Sequence, residues 1–202
     1  DVINGGTGVN TFSQSTALVG AFAGVTNFQT LELAAAMTQD ISKFTGTTFT
    51  EVDLNFAGAF TVSGLANGTA IHGLTGSTIT AATHLTPSST DTLTIGGLTA
   101  AGSTLTAVTV NDTDTLTINA GHVTAGNTLA ISSLNAIDVD SIVISGTQKT
   151  TVTVAADGAA TGFGNTAERT ISVDASGASD TVTFNENAAS AQKISYTGSS
   201  SA

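Results

Sequence analysis

Gly5-Gly6-Thr7-Gly8-Val9-Asn10-Thr11-Phe12-Ser13 is where residue type and spacing come closest to a defined chemistry. It follows the nonapeptide pattern G-G-x-G-x-D-x-U-x, with Asn10 standing where aspartate is usual. Its glycines permit a tight turn whose backbone carbonyls face inward, and the acidic position adds a carboxylate, so the turn offers oxygen ligands to calcium. Calcium takes about six to eight oxygens, which makes one turn half a site that a neighbouring rung must complete. Asp1-Val2-Ile3-Asn4 fits the end of a preceding copy. The chain therefore reads as a segment of a longer array, with Asp1 the acidic ligand of a shortened rung and Gly5, Gly6, Gly8 and Asn10 the remaining expected ligands.

The acidic residues form further candidate clusters. Asp112 and Asp114, Asp138 and Asp140, and Glu51 and Asp53 are each two apart, which in a strand places both carboxylates of a pair on one face. Asp174, Ser176 and Asp180 make another oxygen-rich turn, and Asn185, Glu186 and Asn187 a fourth group. Paired like charges repel unless a cation screens them, so calcium is the expected cofactor, with Asp112, Asp114, Asp138, Asp140, Asp174 and Asp180 as additional ligands. The competing reading is that these carboxylates keep the surface solvated and block edge pairing.

Catalytic patterns are scarce. His72, His84 and His122 stand far apart, outside any H-x-E or H-x-x-x-H phrase, and are expected to be solvated or turn histidines. No G-x-S-x-G elbow occurs. A sugar-cleaving solenoid is expected to carry aromatic platforms and bases beside its acids, whereas this chain has one Tyr, no Trp and four Lys and Arg residues. A calcium-assisted polysaccharide lyase is thus the weakest reading, and no enzymatic activity is expected.

The elements that would position these groups are strands. A polar residue, an aliphatic, Thr or Ser, and an aliphatic or aromatic recur at Thr92–Ile95, Thr115–Ile118, Thr151–Val154, Thr170–Val173, Thr181–Phe184 and Lys193–Tyr196, with looser copies at Thr104–Thr106, Thr128–Ile131 and Ser141–Ile144. Period-two alternation predicts β-strands with aliphatics on one face and β-branched Thr on the other. Most copies are spaced by about 10 to 13 residues, with Gly-, Asn- and Asp-rich turns between them. The pattern predicts an all-β chain, a right-handed parallel β-helix or β-solenoid of short Thr-rich strands, with β-sandwich modules as the alternative. In the first half, Phe28–Leu33, Thr50–Phe56, Phe60–Val62, Thr69–Ile71 and Ser77–Ile79 also read as strands, while Ala34–Phe44 fits a short helix or a strand edge. The polar run around Pro87 suggests two segments, an irregular one over 1–88 and a regular Thr-rich one over 89–202, whether as domains or as parts of one stack.

Composition narrows the partners. The 202 residues include 39 Thr and 22 Gly, and 40% are hydrophobic, enough to fold rather than to form an acidic disordered tail. Fifteen acidic residues against four basic ones give a net charge of -11. Lys43, Lys149, Arg169 and Lys193 cannot build the basic stripe that nucleic acid or an anionic membrane requires. No apolar run approaches the roughly 18 residues of a spanning helix, so membrane insertion is not expected. Cysteine is absent, which removes disulfides and thiolate metal sites from consideration.

The nonapeptide, the Gly24–Leu33 phrase in which a turn leads into L-x-L, and the segments Leu134-Asn135-Ala136-Ile137-Asp138 and Ser172-Val173-Asp174-Ala175-Ser176-Gly177 resemble RTX (repeats-in-toxin) proteins, and among them the surface-layer proteins of Gram-negative bacteria. The resemblance implies calcium-dependent folding, type I secretion, an extracellular location at the cell surface and self-assembly into a homo-oligomeric lattice or filament, with cell-surface polysaccharide as a second partner. Its alternative is a binding module of a large RTX adhesin. An ice-binding face would be built from Thr92/Thr94, Thr104/Thr106, Thr115/Thr117, Thr151/Thr153 and Thr181/Thr183, and a glycan-binding module is the other form of this alternative.

Overall fold

The computed structural model describes residues 2–86, 88, 90–111, 113–124, 126–155, 170–186 and 193–198. Asp1 and Asp112, two of the expected ligands, lie outside the described residues, as do Pro87, Arg169 and Asn187.

Alternating sequence becomes alternating strand. The elements in chain order are β1 (Ile3–Asn4), β2 (Thr11–Gln14), β3 (Val25–Thr26), β4 (Thr30–Leu33), β5 (Met37–Asp40), β6 (Glu51–Leu54), β7 (Ala59–Leu65), β8 (Ala70–Gly73), β9 (Thr78–His84) and β10 (Thr92–Gly97). They continue with β11 (Ser103–Leu105), β12 (Ala107–Val110), β13 (Thr115–Asn119), β14 (Thr128–Ala136), β15 (Ser141–Gly146), β16 (Lys149–Val154), β17 (Thr170–Ala178), β18 (Val182–Glu186) and β19 (Lys193–Thr197). β1 and β3 pair with each other, and from β4 onward the strands alternate between two larger sheets except that β11 and β12 share one. One sheet of nine strands runs β2-β4-β6-β8-β10-β13-β15-β17-β19, and the other runs β5-β7-β9-β12-β14-β16-β18 with β11 beside β14. All described pairings are parallel, as Thr92 on Thr115 and Thr115 on Ser141 illustrate. The fold is a β-solenoid of about seven turns.

Hydrogen bonds between rungs satisfy the backbone, and the space between the two sheets takes the aliphatics. Leu31, Val52, Ile71, Ile95, Ile118, Ile144 and Val173 on the first sheet, and Val62, Ala82, Val108, Leu134, Val152 on the second, are fully buried. Each side chain removes only a modest apolar area from water, at about 25 cal/mol per Å², so the core gains by stacking many small contributions. Bulk is concentrated near the amino end, where Phe12, Phe28, Phe44 and Phe49 meet edge to face with ring centroids 5.1 to 5.8 Å apart.

Rungs differ in length. Thr11 stacks on Thr30 and Thr151 on Thr183, so one turn of the solenoid takes from 19 to 32 residues. Across residue 88, β8 pairs with β10 and β9 with β12, which places both sequence segments in one continuous ladder. Within the ambiguous Ala34–Phe44, the chain forms strand β5 and then a single 3-10 turn, Ile41–Lys43, whose start is capped by the Asp40 side chain accepting from the Ser42 N–H.

Candidate functional site

The nonapeptide turn is closed by amides. Asn10 Nδ2 donates to the Gly8 carbonyl at 3.1 Å and to the Asn27 carbonyl of the next rung at 3.2 Å. Asn27 Nδ2 donates in turn to Asn4 Oδ1, which also accepts from the Gly6 N–H. Gly5 is required here because a Cβ would run into the Asn27 carbonyl oxygen. Asn27 itself takes a left-handed backbone with φ of 59°, a conformation that asparagine tolerates better than most residues. The Asn10 amide thus ties the Gly8 and Asn27 carbonyls together across two rungs.

The internal aspartates serve turns and corners. Strand register stacks Thr92, Thr115 and Ser141, so the residues before them, Asp91, Asp114 and Asp140, follow one another on three rungs of a single corner. Asp114 Oδ2 accepts from the Asp91 N–H, and the Asp140 N–H donates to the Asp114 carbonyl. Asp91 also accepts from the Ser88 N–H and hydroxyl. The Ser88 N–H, helped by the Ser88 hydroxyl and opposed by burial, holds the Asp91 carboxyl below the usual range. Asp138 sits at a left-handed turn with φ of 61°. Asp174 accepts from the Ser176 N–H and Asp180 from the Thr181 N–H, each within its own turn.

The side chains that converge are others. Sheet one carries an outward row in register, Ser13, Glu32, Asp53, His72, Gly96 and Asn119, with Glu51 in the adjacent row. His72 points outward yet is only 6% exposed. Two features explain this. Gly96 on the next rung leaves room for the imidazole, since a Cβ there would stand 2.6 Å from His72 Cδ2, and the His122 ring covers it with centroids 4.4 Å apart. His72 Nδ1 lies 2.7 Å from Glu51 Oε1 and 3.4 Å from Asp53 Oδ1. The latter oxygen is buried and accepts no hydrogen bond. Burial opposes the charged imidazolium, but the Asp53 carboxylate and then Glu51 outweigh it and hold His72 above the usual histidine range.

His122 arrives on a constrained turn. The Asn119 side chain accepts from the Gly121 N–H, the Val123 N–H donates to the Ala120 carbonyl, and Val123 is buried beneath. Among the described residues, Glu51, His72 and His122 form the one group of three or more His and carboxylate side chains whose ligand atoms all lie within 4.8 Å of one another. The expectation of solvated or turn histidines therefore fails for His72 and also for His84. His84 is 6% exposed, with Nε2 on the Thr92 carbonyl and Nδ1 at 3.4 Å from the Thr113 hydroxyl. Neither neighbourhood was visible in sequence, because contacts between rungs depend on rung lengths that composition does not set.

The paired threonines do not share one face. Thr92/Thr94 and Thr115/Thr117 line sheet one, while Thr104, Thr151/Thr153 and Thr183 belong to sheet two. On sheet one the row continues into Ser141 and Val143 rather than another Thr pair.

Comparison with family models, curated proteins and solved structures found no match. The functional reading rests on the geometry of this chain.

Proposed function

We propose that the chain is a structural module of a calcium-dependent, self-assembling surface layer, secreted to the cell surface and without catalytic activity of its own. The observation that carries this reading is the pair of continuous parallel ladders, buried aliphatics within and hydroxyls without, which makes a rod from repeated small rungs. The resemblance to RTX surface-layer proteins points the same way. The partners are further copies of the chain, and cell-surface polysaccharide is the ground on which such a layer rests.

Calcium acts in this reading on the acidic turns, among which Asp114 and Asp140 follow one another at a corner of the ladder. Rungs are about 4.8 Å apart, so these carboxylates repel along the ladder, and a divalent cation with oxygen ligands relieves that repulsion. The split of the threonine pairs between two sheets, together with unequal rungs, weighs against the ice-binding alternative, since a flat array needs nearly constant spacing. Electron microscopy of the protein with calcium should show sheets or filaments that dissolve in chelator. Monodisperse monomers at every calcium concentration would overturn the proposal.

A further inference from the structure

We propose that Glu51, His72 and His122, backed by Asp53, form a site for a zinc-class divalent transition metal that staples the outer face of sheet one. Two imidazoles and a carboxylate make a borderline-soft nitrogen and oxygen set, suited to zinc, nickel or copper and unsuited to calcium or magnesium, which take oxygen. The group combines side chains from β6, β8 and the turn after β13, which a single ion would tie together.

The distances fit a site that closes on its ion. Ligand atoms around tetrahedral zinc stand about 3.4 Å apart, given bonds of about 2.0 to 2.2 Å. Glu51 Oε1 and His72 Nδ1, now 2.7 Å apart, must spread slightly, and the farthest ligand pair, within 4.8 Å, need close by no more than about 1.4 Å. His122 is exposed on its turn and Glu51 is partly exposed, so both side chains can adjust while buried His72 stays fixed. An independent observation points to the same place: Asp53 Oδ1 is buried without a hydrogen bond, 3.4 Å from the His72 ring nitrogen. Such an oxygen is costly to leave unsatisfied, and beside an ion held on His72 Nδ1 it is placed to complete the shell. Gly96 contributes by absence of a side chain, since the imidazole occupies the space a Cβ would fill. On binding, the ion forms bonds to the two imidazoles and Glu51, and the proton held between His72 and the carboxylates leaves to solvent.

Chelator-treated protein, kept in excess calcium so that assembly chemistry is saturated, is titrated with zinc chloride and followed by calorimetry and thermal melting. The expected result is one bound equivalent and a melting temperature that climbs with free zinc, as linkage requires. H122A, which removes an exposed side chain, and E51Q each lose that shift, and D53N weakens the affinity by roughly tenfold or more. Cobalt substitution gives the visible absorption of a four-coordinate centre in the parent protein and not in H122A. The absence of a zinc-dependent shift, or an equal shift in H122A and the parent, would overturn the site. Neither result bears on the calcium-dependent layer, whose test is run without zinc.

Discussion

Asn10 closes the nonapeptide turn as an amide clasp. Replacing it by aspartate removes two hydrogen-bond donors and sets a carboxylate against the Gly8 and Asn27 carbonyls. N10D should lower stability by roughly 1 to 3 kcal/mol in chelator, and calcium should restore it, as melting curves in the two buffers would show; a parent-like curve in chelator would remove the clasp from the account. Asp91 carries a prediction about pH. Its carboxyl is held below the ordinary value of about 3.9 by Ser88, so its contribution is complete above that value and is lost as pH falls through the lower folded one. Asp40 behaves in the same sense through Ser42. D91N should therefore flatten the acid limb of stability measured between about pH 4 and pH 2, and an unchanged acid limb would count against the Ser88 contacts. At this scale the sequence displayed the nonapeptide but not its closure, because Asn10 and Asn27 come together only once two rungs stack.

Strands were the most legible elements. Thr92–Ile95, Thr115–Ile118 and Thr151–Val154 show their alternation openly and appear as β10, β13 and β16, since their inward positions are aliphatic without exception. β5 was illegible for a physical reason. Its inward residue is Gln39, fully buried and bonded to Gln14, to the Leu18 N–H and to the Asp40 carbonyl, so polarity marks no face. Sequence alternation also could not say which sheet a strand joins, so it could not show whether the threonine pairs share a face. Two substitutions test the packing. Ile118 lies fully buried in the middle of sheet one, and I118A should cost about 2 to 5 kcal/mol by the cavity it leaves. Gly146 has φ of 110°, and a Cβ there would stand 2.9 and 3.0 Å from the Ala120 and Gly121 nitrogens. G146A should cost roughly 1 to 3 kcal/mol and, by shifting the turn that carries His122, weaken zinc binding without removing a ligand. Unaltered zinc affinity in G146A would show that the turn's position is not what sets the site.

For the whole molecule, the prediction concerns cations and order. In chelator the assembly should dissolve or its melting temperature fall, and magnesium should substitute poorly for calcium because it demands a tighter octahedral shell. Deleting the stretch from Asp1 through Asn10 should be less harmful than neutralising Asp114 and Asp140 together, which removes charges from the internal corner; scattering and melting measurements on the two variants decide the ranking. The solenoid class was readable because short strands recurred at steady intervals with no room for helices. The exact register was not readable, since each rung sets its own length and the next rung simply accepts it.

Unequal rungs give this rod a mechanical signature. Parallel neighbours are joined along their full length, so a pull on one end of the chain peels rungs in turn instead of breaking every ladder at once. Each detached rung releases its own length of chain. At up to about 3.3 to 3.6 Å per extended residue, rungs of 19 to 32 residues lengthen the tether by steps from about 65 to about 110 Å. Read in order, those steps would report which end yields first and where along the rod the peeling pauses.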